Sequence, residues 1–111
     1  MIRQPDSRLI GRITFSATAN FATDLEQSTA ATFAGEPMGG SPNLYGDARE
    51  ISLPYGSQSV YVATRYWQRS AADDQRTTIV PEIFADLSSD DYFAGRDPVL
   101  QAVLDTPVAP G

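Results

Sequence analysis

The stretch Ile10-Gly-Arg-Ile-Thr-Phe-Ser16-Ala-Thr-Ala-Asn-Phe-Ala-Thr-Asp-Leu25, followed at position 35 by Gly35-Glu-Pro-Met-Gly-Gly-Ser-Pro-Asn43, decides how the rest of the chain is read. Residues 8–15 supply Leu9, Ile10, Ile13 and Phe15, the partly β-branched content of a strand, with Gly11 marking a bulge or a close backbone approach. From Ala17 the period changes to four. Ala17, Phe21 and Leu25, with Ala22 beside them, predict a helix over 17–27 with one apolar face. Ser16 stands at its N-cap position, while Asp24 and Glu26 fall late in the helix, where the dipole disfavours carboxylates, and read as solvated. A hydroxyl between the end of a strand and the start of a helix is where many α/β enzymes keep a nucleophile. Read without further context, it is an ordinary cap.

Downstream, residues 30–33 suit a short buried strand, and 35–43 form an irregular loop. Pro37 and Pro42 forbid ladder bonds there and Gly39-Gly40 permits positive φ, so the loop either shapes a cleft or simply connects. Residues 50–53 and 59–67 predict the arms of a hairpin around a type I turn at 54–57. On the second arm Val60, Val62, Thr64 and Tyr66 alternate with Tyr61, Ala63, Arg65 and Trp67, so that strand is expected to be covered on both sides. Its aromatic residues read as packing groups. Residues 68–76 read as an exposed loop, 77–83 as a short edge segment that 84–87 could extend, and 88–93 as a capped turn. Asp97-Pro98 before Val99, Leu100, Val103 and Leu104 is a helix start, with aspartate as cap and proline at the first helical position. Residues 105–111 are expected to be a flexible tail on a single unit spanning 1–104.

Composition narrows the chemistry. The 111 residues suffice for one domain with a modest core, and 41% hydrophobic with 20% charged content suits neither a disordered chain nor a membrane span. No basic region followed by an apolar run opens the sequence, so no signal peptide is expected and the compartment stays open. A net charge of −6 argues against nucleic acid. All eight cations are arginines, and lysine, histidine and cysteine are absent. A serine nucleophile therefore has neither of its two usual bases in this chain. Asp73-Asp74 and Asp90-Asp91 read as solvated pairs or caps rather than metal ligands, and no cofactor is called for.

Taken together, Thr14-Phe-Ser16-Ala, Asn20-Phe-Ala, Asp24-Leu25, the Gly35-Glu-Pro-Met-Gly-Gly-Ser-Pro-Asn43 loop with Tyr45-Gly-Asp47, and Asp91-Tyr-Phe-Ala-Gly-Arg-Asp-Pro98 resemble the C-terminal-processing (tail-specific) serine peptidase family. Tyr66-Trp67-Gln68 and Val80-Pro81-Glu82-Ile83 fit it as well. The branch is that of the tricorn core protease and the interphotoreceptor retinoid-binding protein repeats. The resemblance implies an α/β fold: a ClpP/crotonase-like core fragment with a mixed sheet, one helix after the serine, a β-hairpin and a short C-terminal helix. It also implies peptide-bond hydrolysis, with Ser16 as nucleophile and the Ala17 backbone N–H in the oxyanion hole. Asp73 or Asp74 falls where the branch places an acidic partner, and Gly39, Gly40, Ser41 and Asn43 fall where the loop would line a substrate cleft. Members often work outside the cytoplasm.

Two departures qualify that expectation. Where serine–lysine members carry the base after Gly-Glu, this chain has Ser41, and the histidine of the other branch lies upstream of the serine. The resemblance is therefore to the C-terminal half of a catalytic domain, and the chain is expected to be inactive alone and to act on a peptide or protein only when an upstream half completes it. An exposed half-domain face predicts self-association. A non-catalytic interaction module that keeps the fold remnant is the alternative, and a crotonase-like acyl transformer ranks third, because no basic cluster offers a coenzyme A pocket.

Overall fold

A computed structural model describes residues 6–107 of the chain. It is a mixed α/β arrangement: a three-stranded parallel sheet, a separate antiparallel hairpin and three short helices. The parallel sheet has the order β1 (Ser7–Ile10), β2 (Thr32–Gly35), β5 (Ile83–Phe84). Helix α1 (Ala17–Ser28) makes the crossover from β1 to β2, which a parallel pair requires. The hairpin pairs β3 (Asn43–Ser52) with β4 (Ser59–Gln68). Helices α2 (Ser89–Ala94) and α3 (Pro98–Asp105) close the chain, and α3 lies against all three parallel strands.

The first strand is shorter than its composition suggests. It ends at Ile10 because Gly11 begins a turn: the Thr14 N–H donates to Gly11 O at 2.8 Å and the Gly11 N–H to the Thr14 hydroxyl at 3.0 Å. Ile13 and Phe15, expected in the strand, are consequently exposed. The helix begins at Ala17 as predicted, but only Ala22 and Leu25 of its expected apolar face turn toward the core. Ala19, Ala22 and Thr23 are inside, whereas Phe21 is 60% exposed and Ala17 lies at the surface. Small residues win this face because the backbone of the glycine loop comes so close: a Cβ on Gly40 would sit 3.2 Å from that of Ala19. Thr23 is buried at no polar cost, since its hydroxyl donates to Ala19 O at 2.9 Å.

These residues meet Ile10, Phe33, Met38 and Ile79 in a small core flanked by Leu25 and Leu44. The segment around Ile79 is not a strand, contrary to the edge segment expected over 77–83. It is pinned instead, with the Met38 N–H donating to Ile79 O and the Thr78 hydroxyl to Met38 O. The edge strand is β5, two residues long, and beside it the Glu82 carboxylate accepts the Phe33 N–H at 2.8 Å. Both C-terminal helix starts follow the sequence. Ser88 Oγ accepts from the Asp91 N–H and Asp97 Oδ1 from the Leu100 N–H, with Pro98 at the start of α3. Asp105 belongs to α3 rather than to a tail, while residues 108–111 of the expected tail lie outside the described residues.

The largest departure is the hairpin. Its first arm starts at Asn43, seven residues before the expected Glu50, and both arms are ten residues long. The second arm was expected to be covered on both sides, yet apart from Trp67 every residue of β4 is exposed. Alternating bulk on both faces calls for two covering layers, and among the described residues no helix or strand lies over it. Only the base of the ribbon, near Asn43 and Leu44, joins the core.

Candidate functional site

Ser16 sits at the junction of the Gly11 turn and α1, in a backbone conformation that L-residues rarely adopt (φ 56°, ψ −122°). It occupies the N-cap position without behaving as a cap, since its hydroxyl makes no side-chain capping hydrogen bond. Thr18 does not replace it as a cap but ties the entry to the helix: its Oγ1 accepts the Phe15 N–H at 3.2 Å and donates to Phe15 O at 2.7 Å. An exposed hydroxyl is thus left beside the unpaired N–H groups of the first helical turn.

It faces a cavity of about 330 Å³ between α1 and the base of the hairpin. Ser16, Asn20 and Asp24, four residues apart, form one wall together with Ala17 and Phe21, and Asp47, Trp67 and Arg69 form the other. The charges inside are paired. Arg69 Nη1 lies 3.4 Å from Asp24 Oδ2, and Arg65 Nη1 lies 3.2 Å from Asp47 Oδ2. Both guanidinium groups also pack on the Trp67 ring, 5.1 Å and 5.3 Å from its centroid. Asn20 Oδ1 is buried and accepts no hydrogen bond among the described residues. The cavity therefore holds a hydroxyl, two carboxylates already engaged by arginine and an aromatic wall, but no imidazole or amine.

The other residues singled out from the sequence lie elsewhere. Gly39 and Gly40 run behind the Ser16 turn, where the Gly39 N–H donates to Thr14 O at 3.1 Å and a Cβ on Gly39 would lie 1.9 Å from Arg12 O. Ser41 donates to Asn43 O at 2.6 Å. Asn43 is a buried tie between the hairpin and the following loop. Its Oδ1 accepts the N–H groups of Arg69 and Ser70, both at 2.9 Å, and its Nδ2 donates to Ala71 O at 2.8 Å. Neither Asp73 nor Asp74 lines the Ser16 cavity. Asp73 is exposed. Asp74 accepts from the Arg76 guanidinium and the Ser70 hydroxyl, which hold its carboxyl well below the usual carboxylate range.

Arg76 also grips Glu26 through two parallel hydrogen bonds of 2.8 Å, which ties the loop to the last turns of α1 and lowers the Glu26 carboxyl. Both carboxyls are depressed in the fold, so their contribution to stability is present above the unfolded carboxylate range and lost as pH falls through the folded values. Thermal unfolding should accordingly shift to lower temperature on acidification below about pH 4. Arg76→Ala should remove most of that acid-side dependence, while loss of the exposed Glu26 pair by itself costs about 0.5–1 kcal/mol at neutral pH. Calorimetry of both proteins between pH 2 and 7 checks this, and parallel pH profiles would contradict it.

The Ser16, Asn20, Asp24 spacing was visible in the sequence as a polar row on the predicted helix, and it alone could have pointed to this wall. Nothing in the local sequence of Asp47, Trp67 or Arg69 connects them with it. Among the described residues no group of three or more His, Cys, Asp or Glu side chains is placed to hold a metal ion, and no helix is long and apolar enough to cross a membrane. Comparison with protein-family models, curated proteins and solved structures finds no match.

Proposed function

We propose that this chain is the nucleophile-bearing part of a serine peptidase resembling the tail-specific family, in the tricorn-like branch, built on a fragment of a ClpP/crotonase-like core. The observation that carries the reading is Ser16: a non-glycine residue held at φ 56° at a helix N-terminus, with its hydroxyl released from capping into a cavity. In this reading Ser16 Oγ attacks a peptide carbonyl and the Ala17 N–H, free at the first helical position, donates to the oxyanion. The Oγ proton needs an acceptor. Asp24 and Asp47, the carboxylates lining the cavity, are bound to arginines, and the chain contains no histidine or lysine. The base therefore comes from a complementary segment, as the missing half-domain of the resemblance implies.

A fluorophosphonate probe tests this. The chain alone should remain unlabelled, and adding the histidine-bearing upstream half of a tricorn-type catalytic domain should produce labelling that Ser16→Ala abolishes, with circular dichroism confirming that the variant is folded. Labelling of the chain alone at Ser16 would overturn the requirement for a second segment. The uncovered hairpin favours the second reading, a binding module that keeps the fold without the chemistry, and Ser16 would then stay unreactive even in a stable complex with the added half.

A further inference from the structure

Outside the Ser16 cavity, the feature least explained by the rest of the molecule is the β3–β4 ribbon. Val60, Tyr61, Val62 and Tyr66 on one strand and Tyr45 and Ile51 on the other are all at least 45% exposed. A two-stranded ribbon is marginal in water, and three or more strands are needed before a sheet of this kind stands by itself.

Its two edges are not equivalent. The β3 edge is guarded. Asp47 takes φ 52° and drops out of the ladder between the Gly46–Arg65 and Ala48–Ala63 pairs, and Asp47, Arg49 and Glu50 set three charges along the strand. The β4 edge has none of these devices before Arg65. From Ser59 to Thr64 it carries no charge, no proline, no glycine and no positive φ, and its residues are β-branched, aromatic or small.

Charge indicates what covers that edge. Asp47 and Glu50 cancel Arg49 and Arg65, so the ribbon is neutral in a chain of net charge −6. A second copy is repelled by the body of the molecule and not by this strip. The ribbon is also long, ten residues in each strand, about 33 Å at the usual rise. An antiparallel strand paired with itself satisfies the two-fold rule that each surface must meet its own copy.

We propose that two copies of this chain pair edge to edge through β4, antiparallel, to form one continuous four-stranded sheet in the order β3-β4-β4-β3. The unpaired N–H and C=O groups of β4 gain partners, and the side chains of Val60–Thr64 gain cross-strand neighbours on both faces. This pairing is independent of the chemistry at Ser16.

Sedimentation velocity over a wide concentration range, combined with hydrogen exchange, tests it. The expected result is a monomer–dimer equilibrium in which β4 amides exchange more slowly as concentration rises, while the α1 amides do not change. Val62→Lys brings two like charges together in the middle of the seam and should weaken dimerisation roughly tenfold or more. If that variant loses the ribbon, the concentration dependence of β4 exchange in the unmodified chain still decides. A monomer at every concentration overturns the proposal, as does a dimer whose β4 exchange matches that of the monomer. Protection of β4 that appears only on addition of the histidine-bearing half overturns it as well, and assigns that edge to a different partner.

Discussion

Gly35→Ala is expected to destabilise the fold by about 3 kcal/mol or more, because two independent penalties coincide there. Gly35 ends β2 at φ 122°, a region that side-chain-bearing residues avoid. A Cβ at that position would also stand 2.1 Å from Ile10 O, far inside van der Waals contact, and 3.4 Å from Val99 Cγ1 of α3. The obstacle is backbone, so no rotamer change relieves it. Ile10 O is the acceptor for the Glu36 N–H, and Gly35 O accepts the Ala85 N–H, so a displaced Gly35 loosens both neighbours of the central strand. Gly56→Ala at the hairpin tip separates the two penalties. It shares a positive φ of 83°, but its nearest contact would be the flexible Gln58 side chain at 4.0 Å, so only the conformational cost of about 1–2 kcal/mol applies. Urea unfolding of both variants provides the comparison. Equal losses would show that the close approach of β1 and β2 contributes nothing.

Asn43→Ala is expected to cost about 2–4 kcal/mol by leaving the partly buried N–H groups of Arg69 and Ser70 without their acceptor. The Arg69 and Ser70 N–H groups both lose their acceptor, and Ala71 O loses one of its two donors, keeping the Asp74 N–H. Because these bonds anchor the loop that carries Arg69, the wall of the Ser16 cavity should loosen with them, seen as faster hydrogen exchange at residues 69–71. Asn43→Asp keeps the acceptor oxygens but replaces the donor with a carboxylate beside Ala71 O, so it should fall between Ala and the native residue. An alanine variant as stable as the native chain would mean that the loop holds its place without the hairpin base.

These two positions show how differently the sequence exposes structural need. Gly35 was legible only as a loop glycine, because its role depends on a carbonyl twenty-five residues away. Asn43 was read as part of a substrate-lining loop, and its partners lie at 69–71. The helix caps at Ser88 and Asp97 were legible because the donor and acceptor are three residues apart. Helix α1 was legible in extent and partly in orientation: Ala22 and Leu25 of the expected face meet the core, but packing against Gly40 made Ala19 and Thr23, rather than Phe21, the other buried residues.

The hairpin shows the same limit from the other side. Alternation identified β4 and the bulk on both its faces, and from that pattern alone a covering layer on each side was the natural expectation. Pattern reports what a strand could bury and is silent on whether an element of the same chain is there to bury it.

By itself the sequence determined the helices, their capped starts, the hairpin and the lack of any histidine or lysine, since each depends on neighbours within a few residues or on composition. Only the tertiary structure decided that Ser16 is strained and released from capping, that Asp24 and Asp47 rather than Asp73 or Asp74 share its cavity, and that β4 stands uncovered. Those features rest on contacts between segments tens of residues apart, which local pattern does not encode.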